Sequence, residues 1–514
     1  MTLPATLLAT TVASAQPAAQ PAQPPTAAPP TMDLGPGKDA VKDKPDPLAE
    51  ALAVQPGGLT FEMAGREAVT TSNAVHSKEA ELEGAQGAVS SATVSFFPRL
   101  TLSASYTRLS EVEQGSIGGG GGILGAANEG PVGVGPCPDN PANQCVLDSG
   151  GLPVQAVSFT FPQVLNQIAF SAGLTIPISD YFLRSIQAYN AADHNEDSLE
   201  MAVEAQRLTT ATEAKIAVLN WILAKGQVVV AHMSVEQANA QLADAKALRK
   251  AEKGSEADVM RIEALVAQSE FTETEARSNE VIAEQRLRVI LHTPATRQLA
   301  IGVDVLATPA TPALPGVDAL IAEAVRNRLE ILSTEEQRLA LENLESVTEA
   351  GYWPRLDGFA DVLVANPNSR VFPQQERFDA TWDVGVRLTW VVNDTFSTIG
   401  SAKQAKSRTA QLDAQKLALI DSIRLEVIQA HADLLKAAPQ IEAANRGVAA
   451  AEETLRITKL LFAVGNGTST ALADAENSLT VARLRKLAAH VGLHGSIVRL
   501  QHATGRDRAM APVK

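Results

Sequence analysis

The sequence FFPRL at residues 96–100 returns as YWPRL at residues 352–356, an offset of 256 residues. At the same offset, EAV at residues 67–69 returns as EAV at residues 323–325, so the chain aligns with itself over this distance without a gap. Self-similarity at a fixed offset indicates that one structural unit occurs twice. The fold therefore depends on what each copy places around its aromatic-aromatic-proline step.

Stretches of alternating apolar and polar residues follow both prolines. They are LTLSASYT at 100–107, IAFSAGLTIPI at 168–178, LDGFADV at 356–362 and WDVGVRLTW at 382–390. Alternation places every second side chain on one face of a β-strand. The apolar face would carry Leu100, Leu102, Tyr106, Phe170, Leu174, Ile176, Trp382, Val386, Leu388 and Trp390. The polar face would carry Thr101, Ser103, Ser105, Asp357, Asp361, Asp383 and Arg387.

Two environments fit such strands: a half-buried sheet in a soluble protein, or a membrane that strands of about ten residues cross at a tilt. The aromatic residues favour the membrane, since all but Phe61, Trp221, Phe271 and Phe462 lie within residues 96–189 and 352–396. Aromatic rings concentrate at membrane interfaces. Four strands cannot close a barrel, and an open edge cannot face lipid. A membrane location therefore requires an oligomer that combines the strands of several chains.

The first copy contains an insertion. AGLTI at 172–176 aligns with VGVRL at 384–388 at an offset of 212, so about 44 extra residues lie between Tyr106 and Phe170. The glycine run Gly118–Gly122 lacks the context of a nucleotide-binding loop and indicates a flexible loop. Cys137 and Cys145 would form a disulfide in an oxidising compartment and remain free thiols otherwise.

Helix-forming residues fill residues 182–248 and 396–462, and each run would extend for about 100 Å. Gly226 and Pro439 predict a break in the middle of each run. The runs would end at Gly254 and at Gly465–Gly467, followed by shorter helices over 256–292 and 468–503. Taken alone, this pattern also fits a soluble coiled-coil scaffold.

The predicted organisation begins with a signal peptide over residues 1–15, which end in an A-x-A pattern; an Ala-rich tail is the alternative. A disordered Pro/Ala-rich linker follows over 16–58. The first repeat spans 59–305, with strands near 97–109 and 167–178 and a loop insertion over 110–166. A linker covers 306–315. The second repeat spans 316–505, with strands near 354–365 and 379–390, and 506–514 form a disordered tail.

The composition excludes several functional classes. A net charge of −15 argues against a nucleic-acid partner. No stretch of 18 uncharged apolar residues predicts a transmembrane helix, since Lys225 interrupts the best candidate, Val218–Met233. We identify no catalytic motif, no metal site and no cofactor site. His490 and His494 lie four apart but lack the Glu of a zinc hydrolase motif, so an ordinary position on a helix surface is expected.

Together, the signal peptide, the tandem repeat, the strand pairs and the helical hairpins resemble the TolC family of outer-membrane efflux proteins over residues 59–505. The resemblance implies a mainly α fold: long antiparallel helical hairpins form an α-barrel tunnel, and four transmembrane strands per chain join a trimeric 12-stranded barrel. It also implies a homotrimer in outer-membrane lipid of a Gram-negative bacterium, with a large periplasmic portion. The implied partners are a periplasmic adaptor (membrane fusion) protein and an inner-membrane RND, ABC or MFS pump.

Relatives in this family narrow the periplasmic entrance with acidic residues after the tip glycines. The matching positions are Asp258, after Gly254, and Asp474, after Gly465 and Gly467. Gly467 stands where some relatives carry an Arg that ties the closed tip. Asp357, Asp361, Asp383 and Arg387 would line the barrel lumen. Leu102, Leu174, Ile176, Val386 and Leu388 would face lipid.

These observations predict an exit duct of a tripartite efflux or type I secretion system, and not an enzyme. A periplasmic coiled-coil adaptor or scaffold is the alternative function.

Overall fold

The structure is a computed structural model that describes residues 47–111, 123–157, 164–309 and 314–510. The expected signal peptide and the glycine run Gly118–Gly122 lie outside the described residues. The expected linker over 16–58 is wrong for its last part. Helix α1 (Pro47–Ala51) forms there, and Leu48 and Leu52 are buried in the core. Burial of these apolar side chains anchors the segment to the folded part of the chain.

The first half of the chain begins with two helices, α2 (Phe61–Thr71) and α3 (Asn73–Val94), whose N-termini are capped by the side chains of Thr60 and Ser72. Strand β1 (Arg99–Arg108) follows. The insertion contains β2 (Ile123–Gly125), β3 (Gly133–Cys137), β4 (Asn140–Leu147) and β5 (Gln155–Val157). The half ends with β6 (Asn166–Ile176), α4 (Ile178–Asp180), a π-helical turn (Tyr181–Ser185), α5 (Ile186–Lys250) and α6 (Glu256–Ile290).

The second half repeats this order without the insertion. Its elements are α7 (Val317–Asn327), α8 (Leu329–Glu349), β7 (Arg355–Asn366), β8 (Asp379–Thr389), α9 (Val392–Ala463) and α10 (Ser469–Ala503). A 3₁₀ turn over Arg506–Met510 follows, and Arg506 forms an ion pair with Glu323 of α7 at 2.7 Å. The expected disordered tail over 506–514 is therefore wrong for residues 506–510.

Strands from both halves form one antiparallel sheet among the described residues, in the order β1-β6-β7-β8. Leu100 pairs with Leu174, which pairs with Ala360, which pairs with Val384. Residues directly opposite in an antiparallel sheet share a face. All the predicted apolar-face residues within the four strands therefore lie on one face, and the predicted polar-face residues lie on the other. The register therefore confirms the assignment of residues to the two faces that the period-two pattern predicts.

The register corrects the offset between the copies. Leu174 stands opposite Leu100, and Leu388 stands opposite Leu356, so the second strands are 214 residues apart. The sequence-based offset of 212 is wrong by two residues. A shift by two keeps each side chain on its face, so the face assignment does not change.

The helices that follow the sheet have a slightly different offset. Ser255 caps α6 and Thr468 caps α10, which gives 213 residues between equivalent positions. The first half therefore holds one more residue than the second between the sheet and the end of the long helix. The π-helical turn Tyr181–Ser185 lies in this interval. A π turn spans one residue more than an α turn, so it accommodates the extra residue.

Helices α5 and α9 are continuous, and the expected breaks at Gly226 and Pro439 are wrong. A Cβ atom at Gly226 would lie 2.6 Å from Cδ2 of Leu487, so this glycine lets α10 pack closely on α5. Pro439 lacks one helical hydrogen bond. Its neighbours Ala437 and Ile441 are both buried, and their packing holds the helix together.

Among the described residues, three buried clusters along the helices form the core. One includes Val218, Ile222, Leu287 and Leu291, a second Leu320, Ile423, Val427 and Leu493, and a third, near the helix ends, Ile262, Leu455, Leu472 and Leu479. By length and composition, the helical stretch Ile178–Lys250 contains one window apolar enough to cross a membrane, and half of that window is buried within the chain.

Candidate functional site

The apolar face of the sheet is exposed on the isolated chain. Leu102 is 73% exposed, and Val386 and Leu388 are each 67% exposed. Leu174 and Ile176, on the interior strand β6, are half-buried. A monomeric soluble protein rarely exposes a contiguous apolar surface of this kind. This face therefore requires a nonpolar environment or a partner to cover it.

Exposed aromatic side chains border the apolar face at both ends of the strands. Phe97, Phe182, Trp353, Trp390 and Phe396 lie at the end where the helices begin, and Tyr106, Phe170, Phe378 and Trp382 lie towards the other end. Aromatic rings in two belts on either side of an apolar band are typical of strands that cross a membrane.

The polar face carries the predicted lumen residues, and the structure gives three of them partners. Arg355 Nε donates to Asp357 at 3.0 Å. Arg370, in the connection between β7 and β8, forms an ion pair with Asp383 at 2.6 Å. The Arg387 guanidinium lies 4.8 Å from the ring centroid of Phe359. Sequence reasoning did not identify Arg370, because nothing local links it to Asp383.

Two acidic residues stand side by side on this face. Asp361 of β7 pairs directly with Asp383 of β8. Like charges directly opposite each other destabilise a sheet unless a cation offsets them. Arg370 does this for Asp383. Across the strand on its other side, Asp361 faces Gly173, where a Cβ atom would lie 2.5 Å from Asp361 Oδ1. The glycine makes room for the carboxylate.

The first helical tip joins α5 to α6 over residues 251–255. The backbone reverses at Glu252, which has a φ of 56°. The expected capping position, Gly254, is two residues further on. Ser255 and Asp258 then form a capping box: each side chain binds the backbone N–H of the other. The sequence pattern S-x-x-D could have predicted this box.

The second tip joins α9 to α10 over residues 464–468. Gly465 has a φ of 81°, the conformation expected for a glycine at a helix C-terminus. A Cβ atom at Gly467 would lie 2.8 Å from the backbone nitrogen of Phe462. In this conformation the position cannot carry any larger side chain, so an Arg there would require a different tip. Asp474, one turn into α10, is exposed.

A hydrogen-bond chain connects the two tips. The Ser469 hydroxyl donates to Asp258 Oδ1 at 2.6 Å, and Arg261 Nη1 donates to Ser469 Oγ at 2.9 Å. Sequence reasoning identified Asp258 but neither Ser469 nor Arg261. Hydrogen bonds from Ser255 and then Ser469 lower the pKa of Asp258. The Asp258 carboxylate is therefore ionised at neutral pH and held in place by these hydrogen bonds. Asp474 does not take part in them.

Behind the tips, a buried polar pair joins α5 to α10. Glu476 and Gln241 are each 2% exposed, and Gln241 Nε2 donates to Glu476 Oε2 at 2.7 Å. Burial raises the pKa of Glu476, while the bond from Gln241 and the charges of Lys459 and Arg483 act in the opposite direction. Sequence reasoning missed this pair, since it joins residues 235 positions apart.

The insertion is more ordered than the predicted loop. Cys137 and Cys145 form a disulfide, with their Cα atoms 5.0 Å apart. Strand β3 pairs with β4, and β2 pairs with β5, so two short ribbons replace the expected loop among the described residues. The Asp148 carboxylate accepts hydrogen bonds from the backbone of Asn128, Gly150 and Leu152. These bonds give the turn after β4 a fixed shape.

His490 and His494 of α10 are less exposed than expected for an ordinary position on a helix surface, since His490 is buried and His494 is half-buried. His490 is 7% exposed, and His494 Nε2 lies 3.3 Å from the carbonyl oxygen of Ala307, in the segment between the two halves. Burial lowers the pKa of both side chains. They help to pack the connecting segment against α10, which is a structural role.

The sequence and the fold of this chain are similar to those of known proteins. Residues 65–292 and 320–506 match the family model described as outer membrane efflux protein. We find no match among curated proteins. The outer-membrane channel OprN is 17% identical, with a TM-score of 0.68 over 90% of this chain and 96% of that chain.

Two further solved structures are similar to the same extent. The outer membrane protein VceC of Vibrio cholerae is 16% identical, with a TM-score of 0.67 over 87% of this chain and 96% of that chain. The open-state outer membrane channel MtrE of Neisseria gonorrhoeae is 16% identical, with a TM-score of 0.65 over 87% of this chain and 88% of that chain. At this level of identity the likeness concerns the fold, and it confirms the predicted fold class.

Proposed function

Since the chain belongs to the outer membrane efflux protein family, as its sequence predicts, we propose that it is the exit duct of a tripartite efflux or type I secretion system. In this proposal three copies assemble in the outer membrane. Their helices form a periplasmic tunnel, which receives substrates from an inner-membrane pump through a periplasmic adaptor.

The sheet is the observation that carries the proposal. Its apolar face lies between two belts of aromatic residues, and its other face is polar. Within the described residues, β1 and β8 each pair on one side only. An unpaired edge is costly in lipid, because its N–H and C=O groups have no water to bind. Three copies that pair β8 of one chain with β1 of the next would close twelve strands and remove every edge.

The polar face would then line the lumen. Asp357, Asp361, Asp383 and Arg387 belong to it, and Leu102, Leu174, Ile176, Val386 and Leu388 would contact lipid. This arrangement matches the physical requirement of a membrane barrel, in which lipid-facing and lumen-facing side chains alternate along each strand.

The tips would form the periplasmic gate. Asp474 is the exposed acid after the second tip, and three copies would present a ring of carboxylates. Such a ring raises the local concentration of cations and repels anions. Asp258 contributes differently, because Ser255 and Ser469 bind its carboxylate. We assign it to holding the two tips of one chain together, while Gly254, Gly465 and Gly467 shape the turns.

The oligomeric state in the outer membrane tests this function. The full chain should fractionate with the outer membrane and run in detergent as a trimer that dissociates to a monomer on heating. A soluble monomer would contradict the proposal. A soluble oligomer in the periplasm would instead favour the coiled-coil adaptor or scaffold. Cross-linking in cells that contain candidate adaptors and pumps would then identify the partners.

A further inference from the structure

A cluster of metal-ligating side chains lies away from both the sheet and the tips. His194 and Asp197 of α5 and Glu336 of α8 each place one ligand atom within 4.8 Å of the others. His194 Nδ1 lies 2.8 Å from Glu336 Oε2, so the two helices already meet at this point. We propose that these three residues bind a divalent transition-metal ion, with Zn²⁺ as the reference ion. The proposal does not rest on the transport function.

The arrangement of the ligands follows a common rule of helical bundles. His194 and Asp197 are three residues apart and so lie on one face of α5. Glu336 reaches them from the helix that packs against this face. Bundle metal sites combine a carboxylate and an imidazole at this spacing with a carboxylate from a facing helix. One imidazole nitrogen and two carboxylate oxygens are ligands that Zn²⁺ takes in proteins, with water in the remaining position.

The backbone around the cluster is held in place. One turn further along α5, Ser198 is buried, and its carbonyl oxygen accepts a hydrogen bond of 2.8 Å from the Ser333 hydroxyl of α8. The two hydroxyl oxygens also lie 3.1 Å apart. These contacts fix the distance between the helices next to the cluster. Binding of a metal ion would therefore require little rearrangement beyond the side chains.

The stretch of α5 that carries His194 and Asp197 is acidic, and no side chain on it carries a permanent positive charge. Between Arg184 and Arg207, the sequence contains no Lys or Arg, but it contains the acids Asp193, Glu196, Asp197, Glu200 and Glu204. Carboxylates of like charge that lie close together favour a bound cation.

A second histidine–glutamate pair shows the contrast. His232 Nδ1 of α5 lies 3.0 Å from Glu273 Oε1 of α6. Here Arg277 donates to the same carboxylate at 2.5 Å, and this bond is the main reason why the pKa of Glu273 is lowered. The Arg277 guanidinium already neutralises the Glu273 carboxylate, so this pair requires no metal ion. It therefore provides a matched control.

Titration of the purified full chain with Zn²⁺ tests the inference, after removal of metals with a chelator. We expect one Zn²⁺ per chain. The variants H194A and D197N should each bind Zn²⁺ at least tenfold more weakly, whereas H232A should bind it as the wild type does. Co²⁺ should give a visible absorption band in the wild type that is lost in H194A.

D197N is nearly isosteric and changes a solvent-exposed residue, so it should fold and assemble as the wild type does. The inference is overturned if D197N and H194A bind Zn²⁺ as tightly as the wild type. It is also overturned if H232A weakens binding as much as H194A does, because Zn²⁺ would then bind equally well at histidines outside the proposed site.

Discussion

Glu476 is a carboxyl group that folding removes from water. The carboxyl group accepts a hydrogen bond from Gln241, whose own side-chain oxygen is buried without a partner. Because the pKa of Glu476 is raised, the folded state favours the protonated form. The stabilisation from that proton is complete below the unfolded value near 4.5 and is lost as the pH rises through the folded value. At neutral pH the buried carboxylate therefore costs stability.

Replacement of Glu476 by Gln should stabilise the protein at neutral pH. The amide keeps the acceptor for Gln241 Nε2 and carries no charge. We expect the free energy of unfolding to increase by about 1 kcal/mol at pH 7, with a smaller gain below pH 4.5. Thermal unfolding of the purified protein at several pH values measures this.

Glu453→Gln is the control, since Glu453 is an exposed residue that pairs with Arg456 on its own helix. It should show no comparable gain at pH 7. A lower unfolding temperature for Glu476→Gln would contradict the prediction, and would mean that attraction to Lys459 and Arg483 outweighs burial.

Residue-level prediction from sequence succeeded where the signal is local. Alternation alone assigned Asp357, Asp383 and Arg387 to one face of the sheet. It could not identify Ser469, because its contact with Asp258 joins residues 211 positions apart. The gate role of Asp258 is implied by the resemblance to the TolC family, whose relatives carry acids after the tip glycines. The capping box around it, readable as Ser255-x-x-Asp258, shows that part of its role is to end a helix.

At the scale of elements, the two tips are coupled through one hydroxyl. Ser469→Ala removes the donor to Asp258 and the acceptor for Arg261. Hydrogen bonds to charged groups contribute about 1.5–3 kcal/mol, so the tips should separate more easily. We expect a larger conductance for the assembled protein in planar lipid bilayers.

Ser478→Ala provides the comparison. The Ser478 hydroxyl donates only to the carbonyl oxygen of Asp474, one turn earlier in α10. Its loss should leave the conductance unchanged. An unaltered conductance for Ser469→Ala would show that the contact between the tips does not restrict the entrance.

Two helix glycines should respond to Ala with opposite signs. Gly447 of α9 has no atom near a new Cβ, so Gly447→Ala should gain about 0.5–1 kcal/mol of helix stability. Gly226→Ala would place its Cβ 2.6 Å from the buried Leu487, and the overpacking should cost about 1–3 kcal/mol. Thermal unfolding of both variants measures the difference. Equal stabilisation would show that Leu487 moves aside at little cost.

Gly226 also explains why one prediction about the helices was wrong. Composition marks a glycine in a long helix as a weak point. It does not show that a leucine from a helix 261 residues away along the chain occupies the space above it. The four strands of the sheet and the helices α6 and α10 were predicted to within two residues at each end, since their signals are period, caps and prolines within a few positions. The strands of the insertion were not predicted.

At the scale of the molecule, the two faces of the sheet should tolerate charge differently. Leu102 and Thr101 are neighbours on β1 and point to opposite faces. Leu102→Arg should reduce the amount of trimer in the outer membrane, because an arginine near the bilayer midplane costs about 2–4 kcal/mol. Thr101→Arg should assemble normally. Gel analysis of unheated outer-membrane fractions measures both variants.

Equal assembly of these two variants would contradict a lipid-facing position for Leu102. Charged replacements of Leu174 and Val386 extend the test to β6 and β8. A soluble scaffold predicts that none of these replacements changes membrane association.

The π-helical turn compensates for a difference in length between the two halves of the chain. The two halves share the same order of elements and the same pairing of their hairpins, so each is a copy of one structural unit. The first half is longer at two places: by a long segment between β1 and β6, and by a single residue, which the π turn at Tyr181–Ser185 accommodates. Without the π turn, one added residue would rotate all of α5 by about 100° relative to its twin. The π turn therefore keeps the buried face of α5 equivalent to the corresponding face of α9 in spite of the extra residue.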